Sequence, residues 1–461
     1  MMKELVDQLY TNKTYPGMSH PAAHPSAMAA SALFGGLRTP DLESARILEI
    51  GCAQGHHITP IAQHWPHAQV CAFDLSAAAI EYAKNVARSA EIENIEFFQA
   101  DLRAWSPQGK EFDYIIAHGM LSWVDDSCKS ALLRICRESL APAGVAMLSY
   151  NALPGWAMRQ CVVQMTRTLQ KTPLTGGSAM AALDHLDRAF EGRADEYGKY
   201  LQFVVRDAAH KGEDVLRFDD LGPINDPFYL SQFVQLAENY ALRYIGESDM
   251  SLDQVDFLTP GAMELLPALG ADPLLQQQTQ DLLSGRTFRT SLLCRNDAVI
   301  SPAHATEIFE LCLETTQVIP AIGESIYDQI AEALCAFSPG AVRLRLLHQI
   351  LPQISPMAML ECVTRFVAAD LARFVKEESI PAMTLPQYPT LSLLNQIYLR
   401  DSGIVIDRLH RPCKISPSDA ATLAKCDGKW RYEELEALID APSKKGFQGL
   451  FAYMNQRGIF L

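Results

Sequence analysis

Within ILEIGCAQGHH, Glu49, Gly51, Ala53 and Gly55 set an acid and two glycines in the pattern of a buried strand that turns sharply into a helix. Such a turn presents backbone N–H groups and a helix N-terminus to a nucleotide. Ala53 stands where dinucleotide-binding turns commonly hold a middle glycine. Its methyl crowds a pyrophosphate but leaves room for a ligand bearing a carboxylate, which favours S-adenosylmethionine over NAD. Downstream, AFDLS offers Asp74 as an acceptor for both ribose hydroxyls, a role that serves either cofactor. QADL offers Asp101 to an adenine amino group, and AHGMLSW puts His118 and Gly119 above the methyl-donor end. Three stations in order are more specific than the turn alone. The expected cofactor contacts are Tyr15, His20, Glu49, Gly51, Ala53, Gly55, Asp74, Leu75, Asp101, Leu102, His118 and Gly119. Tyr15 and His20, in TYPGMSHP, are expected to fold back as a lid stiffened by Pro16 and Pro21, with a purely structural arm as the competing reading.

Methyl transfer from a sulfonium is a direct displacement that asks for a neutral, positioned and desolvated nucleophile, and no catalytic triad. If the acceptor is a lysine, its ammonium must first lose a proton, which an apolar, aromatic pocket eases. Tyr150 and Asn151 at the end of VAMLSYN, with His118, Trp123 and Trp156, are the candidates for that work. NDPFY (Asn225 to Tyr229) invites comparison with the Asn-Pro-Pro-Tyr motif of DNA amino-methyltransferases, but it does not follow the fourth strand and reads as a pocket wall or helix start. His56 and His57 are adjacent and seldom point at one ion, so no metal is expected. Asp125 and Asp126 read as a helix N-cap, and Leu132, Ile135, Cys136 and Leu140 as core.

These residues need a scaffold. ARILEI, AQVCAFD, NIEFFQA, FDYIIAH and VAMLSYN alternate with helical text such as SAAAIEYAKNVARSA, the pattern of a parallel α/β sheet whose strand C-termini share one ligand-binding edge. YALRYIGES and FRTSLLCR are expected to complete the sheet after helical insertions. The expected parts are a 1–44 arm, a 45–296 Rossmann-like domain, an almost wholly helical 297–400 domain that includes HATEIFELCLETT, and a 401–461 winged-helix-like unit ending in a GIFL strand. The 461 residues are 48% apolar, enough for several cores. A net charge of −15 repels phosphate backbones, and the last unit mixes acidic with basic residues, so no nucleic acid is expected. The 11 cysteines include no Cys-x-x-Cys pair. No run approaches the roughly 18 to 20 apolar residues of a membrane helix, and the start lacks a signal peptide, so a cytoplasmic address without membrane insertion is expected.

LEIGCAQG, FDLS, QADL, FDYIIAHGMLSWV and LAPAGVAMLSYNALPGW together resemble the class I S-adenosylmethionine-dependent methyltransferases. More narrowly, with YPGMSHPAA and FDDLGPINDPFYLSQFV, they resemble the bacterial group that carries a methyltransferase regulatory domain and includes rickettsial-type protein lysine methyltransferases of outer-membrane proteins. The likeness covers most of residues 10 to 296 and adds that a small residue at Ala53 is usual there; the later parts match more weakly. His56 and His57 depart from the glycine and asparagine common in the group. The resemblance implies a class I methyltransferase sheet with helical insertions, a helical regulatory-type domain over 297–400, S-adenosylmethionine as cofactor, and lysine side chains of a protein as acceptor. A small-molecule methyltransferase and a noncatalytic cofactor-binding scaffold are the alternatives. Acceptor identity, extent of methylation and oligomeric state are not legible.

Overall fold

Strands buried on both faces read as largely apolar runs, as the inner parallel strands of the central sheet do, while its edge strands are partly exposed. The computed structural model describes residues 15–253, 260–439 and 443–461. Its first sheet comprises β1 (Arg46–Ile50), β2 (Gln69–Asp74), β3 (Ile95–Gln99), β4 (Phe112–Ala117), β5 (Leu140–Asn151), β6 (Leu242–Glu247) and β7 (Phe288–Arg295). The strand order is β3-β2-β1-β4-β5-β7-β6, so all seven expected strands join one sheet. The first five are parallel, and β7 runs antiparallel between β5 and β6. Ile47 and Val70 enter the core on one face, Leu48 and Phe73 that on the other. The order reverses between β1 and β4, and the crevice beyond their C-terminal ends is where open α/β sheets bind ligands.

Capping starts the crossover helices where the sequence signals them. Ser76 Oγ accepts from Ala79 N ahead of Ala77–Ser89, and Asp125 accepts from Cys128 N at 2.9 Å ahead of Asp126–Ser139. Leu132, Ile135, Cys136 and Leu140 are buried as expected. Between β5 and β6, the helices Gly155–Gln170, Ala179–Phe190 and Glu196–His210 pack around Val162, Leu183 and Leu201 as a core of their own.

The wholly helical reading after β7 needs correction. A second, antiparallel sheet is formed by β8 (Cys312–Thr315), β9 (Ala341–Arg343) and β10 (Ala372–Val375), in the order β10-β8-β9. HATEIFELCLETT forms a helix only over Ala305–Ile308, because Leu313 lies in register with Val342 and Phe374 and packs with them in one core. Tertiary pairing overrides a helical pattern in so short a run. The chain then continues through the helix Leu393–Ser402, a ribbon of β11 (Ile404–Ile406) with β12 (Pro412–Lys414), and the helices Pro417–Leu423, Tyr432–Ala437 and Lys444–Gln456. GIFL is not a strand: Phe460 makes an isolated bridge to Leu391.

From residue 15 onward the expected arm packs against the rest of the protein. Its helix Pro25–Phe34 is rich in alanine and serine, and these small residues let it wedge between cores. Met28 and Ala32 enter the core of the large sheet, Ala30 and Leu33 that of the second. Among the described residues, no helix is long and apolar enough to cross a membrane.

Candidate cofactor and acceptor site

The β1 turn takes backbone angles that L-residues avoid. Gly51, Ala53 and Gly55 have φ of +75°, +44° and +76°. A Cβ at Gly51 would collide with Met120 Sδ, and one at Gly55 would sit 3.0 Å from Phe97. Gly55 therefore serves packing beneath the turn and does not line the cavity. Ala53 accepts a left-handed conformation that costs an L-residue roughly 1–2 kcal/mol. Asp74, at the end of β2, holds it there: Oδ2 accepts from Ala53 N at 2.9 Å, while Oδ1 accepts from Ser76 N at 2.8 Å. Burial raises the Asp74 pKa, opposed by the N–H groups of Ser76, Ala53 and Leu75.

Asp74 stands at the seam of two recesses. One, lined by Phe73, Leu75, Asp101, Leu102, Val124 and Cys128, is a mostly apolar slot with a carboxylate, suited to an adenine ring. Arg103 clamps the Asp101 carboxylate through Nε and Nη2 at 2.8 and 2.6 Å. The other is a cavity of about 260 Å³ that brings together Tyr15, His20, Glu49, Gly51, Ala53, Asp74, His118 and Gly119. Glu49 is buried there with Oε2 lacking a hydrogen-bond partner, and burial followed by the nearby Asp74 charge pushes its pKa well up. An orphaned carboxylate oxygen in the cavity wall fits the amino end of a methionine tail, so these residues fit S-adenosylmethionine.

The acceptor side differs from expectation. Tyr150 is 0% exposed, its ring against Phe228 and Phe233 and its hydroxyl 3.1 Å from Ser291 Oγ. The strand's two-residue period explains this: Ser149 Oγ accepts from Gly119 N at 2.7 Å near the crevice, so the next side chain faces the opposite way. Asn151 is equally enclosed, its Nδ2 donating to Asn225 Oδ1 at 2.9 Å. Trp156 lies under the cations of Arg159 and Lys211 and lines a separate groove. None of the three lines the donor cavity; His118 does, stacked on His20 at 3.6 Å. Burial, then the charges of His20 and His57, hold its pKa well below the usual value.

Sequence reasoning missed Phe218, Asp219 and Phe288, which complete the cavity opposite the turn beside Trp123. His56 and His57, which depart from the glycine and asparagine common in the resembling group, face the rest of the chain. They are buried contacts for the C-terminal part: His56 stacks on Tyr398 at 4.5 Å, and His57 Nδ1 lies 2.6 Å from His410 Nε2. His20 N also points a hydrogen at His57 Nδ1, at 3.3 Å, so that nitrogen is the acceptor and His410 the donor. Among the described residues no group of His, Cys, Asp or Glu is arranged to hold a metal.

Beside the cavity runs a groove of about 880 Å³ lined by Asp125, Asp126, Trp156, Tyr197, Asp220, Asn225 and Asp226. Asp219 lines the cavity and Asp220 the groove, so this short segment divides them. Tyr229 is the N-cap of the helix Leu230–Glu238, which makes NDPFY a groove wall running into a helix start.

The comparisons with known proteins agree with this geometry. A methyltransferase-domain family model matches residues 47–144, and the predicted methyltransferase regulatory domain matches residues 212–295, ahead of the 297–400 stretch to which that role was assigned from sequence. An uncharacterized Rickettsia prowazekii protein, RP789, is 29% identical over 303 residues, 63% of this chain and 53% of that protein. A second, RP028, is 27% identical over 242 residues, 52% of this chain and 97% of that protein. The chain thus spans about half the length of the first of these relatives. The structure of PKMT2 from Rickettsia typhi in complex with AdoHcy superposes with a TM-score of 0.84 at 19% identity, over 97% of this chain and 99% of that one, and shares the fold. Residues 47–144 thus match a methyltransferase domain and residues 212–295 a predicted methyltransferase regulatory domain, on a sheet whose order and Asp74-anchored turn suit S-adenosylmethionine.

Proposed function

We propose that the protein moves a methyl group from S-adenosylmethionine to the amine of lysine side chains in a protein substrate. The observation that carries this reading is one cavity with two unlike walls, the Asp74-anchored turn with Glu49 on one side and Tyr15, Trp123, Phe218 and Phe288 on the other. The cofactor, when bound, supplies a methyl group activated on a sulfonium. Asp74 would hold the ribose hydroxyls, the slot of Leu75 and Leu102 would receive the adenine, and Glu49 would accept from the amino end. The aromatic wall excludes water and lowers the cost of a neutral amine relative to its ammonium. Tyr15 and His20 line the cavity and would fold over a bound pair, so that it reacts away from solvent.

The choice of a protein lysine draws on further support. The net charge of −15 and the aspartates of the neighbouring groove attract basic segments. The sequence resembles protein lysine methyltransferases, and the fold is that of a protein named PKMT2. Eleven cysteines without a disulfide suit a reducing, cytosolic setting. The small volume of the covered cavity, about 260 Å³, favours the small-molecule methyltransferase as second reading. Incubation with methyl-labelled cofactor, a bacterial protein extract and a metabolite extract separates them. Label recovered as Nε-methyllysine supports the proposal, label confined to small molecules replaces it with the second reading, and no transfer with intact cofactor binding leaves a scaffold.

A further inference from the structure

The wall opposite the turn holds an acid that cofactor binding does not use. Asp219 follows the helix Gly212–Phe218, and its backbone carbonyl is fixed by two side-chain donors, Trp123 Nε1 and Asn225 Nδ2, each at 3.1 Å. Its carboxylate accepts from the Tyr15 hydroxyl at 3.3 Å, and the rings of Tyr15 and Phe218 meet edge-on at 5.5 Å. The charged groups around it are already engaged. Lys211 Nζ reaches Asp220 at 2.6 Å, and Arg159 divides itself between Asp220 and Asp207 at 3.1 and 2.7 Å. Asp219 therefore forms no ion pair among the described residues, although it faces the cavity that also holds Glu49, Asp74, His20 and His118.

A carboxylate that shares its cavity with Tyr15, Trp123, Phe218 and Phe288 suits a cation, because the acid and the ring quadrupoles both attract positive charge. It repels a carboxylate acceptor for the same reason. We propose that Asp219 is the catalytic residue that receives the acceptor ammonium and takes its proton before methyl transfer, a role that rests on the amine-methylation reading of this cavity. One proton passes from the ammonium nitrogen to the carboxylate, leaving a neutral amine and a neutral acid. The freed lone pair forms the N–C bond to the methyl carbon, and the C–S bond breaks with its electron pair left on sulfur. The product is a methylammonium beside a neutral thioether, and Asp219 returns its proton to solvent between turnovers.

The acidity of Asp219 is suited to this. Burial raises its pKa and Asp220 adds to the rise, while Lys211, the Tyr15 hydroxyl and Arg159 pull it down, leaving it at about 6. Above that pH it is ionised and able to accept, and a catalytic base works best with a pKa near the working pH.

The test is Asp219→Asn, which keeps size and removes the charge. With poly-L-lysine as acceptor, the wild-type kcat/KM should fall on the acid side near pH 6. The Asn variant should lose the break near pH 6, run about 100-fold slower near neutral pH, and rise about tenfold per pH unit across the whole range as free amine accumulates. Its affinity for S-adenosylhomocysteine by calorimetry should stay within about twofold. Independently of turnover, n-butylammonium should bind the S-adenosylhomocysteine-loaded wild type at least tenfold more tightly than the loaded variant. Equal butylammonium affinity in the two proteins, no binding to either, or an unchanged break near pH 6 in the variant overturns the proposal. If label enters lysine equally well in both proteins, Asp219 loses its role while lysine methylation stands; if the wild type labels only non-amine acceptors, lysine methylation itself is wrong.

Discussion

The two walls of the cavity are built in different ways. The cofactor wall comes from one stretch, residues 49–119, in which each contact sits at or just past the end of a successive parallel strand. The acceptor wall is gathered from Tyr15, Trp123, Phe218 with Asp219, and Phe288, which lie far apart in the chain and meet only when the helical insertions close over the sheet. The first wall depends on local backbone geometry. The second depends on distant packing, and substitutions should separate the two.

The largest effect tests the dependence on packing. His24 is buried between Trp65 and His410, each ring centroid 5.0 Å away, and burial, then His64 and Arg373, lower its pKa to about 3. The unfolded chain takes up this proton near pH 6.5 and the folded protein does not. This contribution to stability is thus intact above pH 6.5 and is lost as pH falls toward 3. Melting curves from pH 7 to 4 should decline less steeply for His24→Phe than for wild type, a difference on the order of 3 kcal/mol at pH 4. Parallel declines would mean that the packed histidines do not resist protonation.

Next in size, Asp74→Asn leaves one acceptor oxygen where the turn and a ribose both ask for one. S-adenosylhomocysteine affinity measured by calorimetry should fall about 30-fold, the loss of roughly 2 kcal/mol expected for hydrogen bonds to a charged group. Unchanged affinity would remove Asp74 from the cofactor wall. Tyr150→Phe separates the walls in the opposite sense. Because its hydroxyl meets Ser291 and not the cavity, turnover should stay within about twofold while unfolding free energy drops by about 1 kcal/mol. A selective loss of turnover would return Tyr150 to the acceptor site. The smallest effect is expected from Ala53→Gly: relief of the left-handed angle and the added freedom of the unfolded chain nearly cancel, leaving denaturation midpoints within about 1 kcal/mol of wild type.

What could be read from sequence follows the same division. β1 to β5 announce themselves because strands buried on both faces become largely apolar runs, and Glu49, Asp74 and His118 come with them because a strand end is a local property. Tyr150 and Asn151 lie outside the cavity because proximity to a strand end does not say which face a side chain takes, and Trp156, in the helix Gly155–Gln170, lines the neighbouring groove. Antiparallel pairing of Tyr150 with Arg289 covers the end of β5, a contact outside any local pattern. Asp219 carried no signal beyond the FDD triplet, since nothing in its spacing relates it to a turn more than 150 residues earlier. The strand Cys312–Thr315 was hidden by its brevity, for its identity as a strand comes from partners at 342 and 374.

The contact between His57 and His410 has a practical meaning for anyone dissecting this protein. A fragment ending after Arg295 would retain every strand of the large sheet, yet it would strip the outer cover from both imidazoles next to the glycine turn. Tyr398 would leave with the same cut, baring the face of His56. Shortening the chain to its sheet-bearing part would uncover the loop beside the candidate cofactor cavity, so the C-terminal helices belong to that loop's foundation.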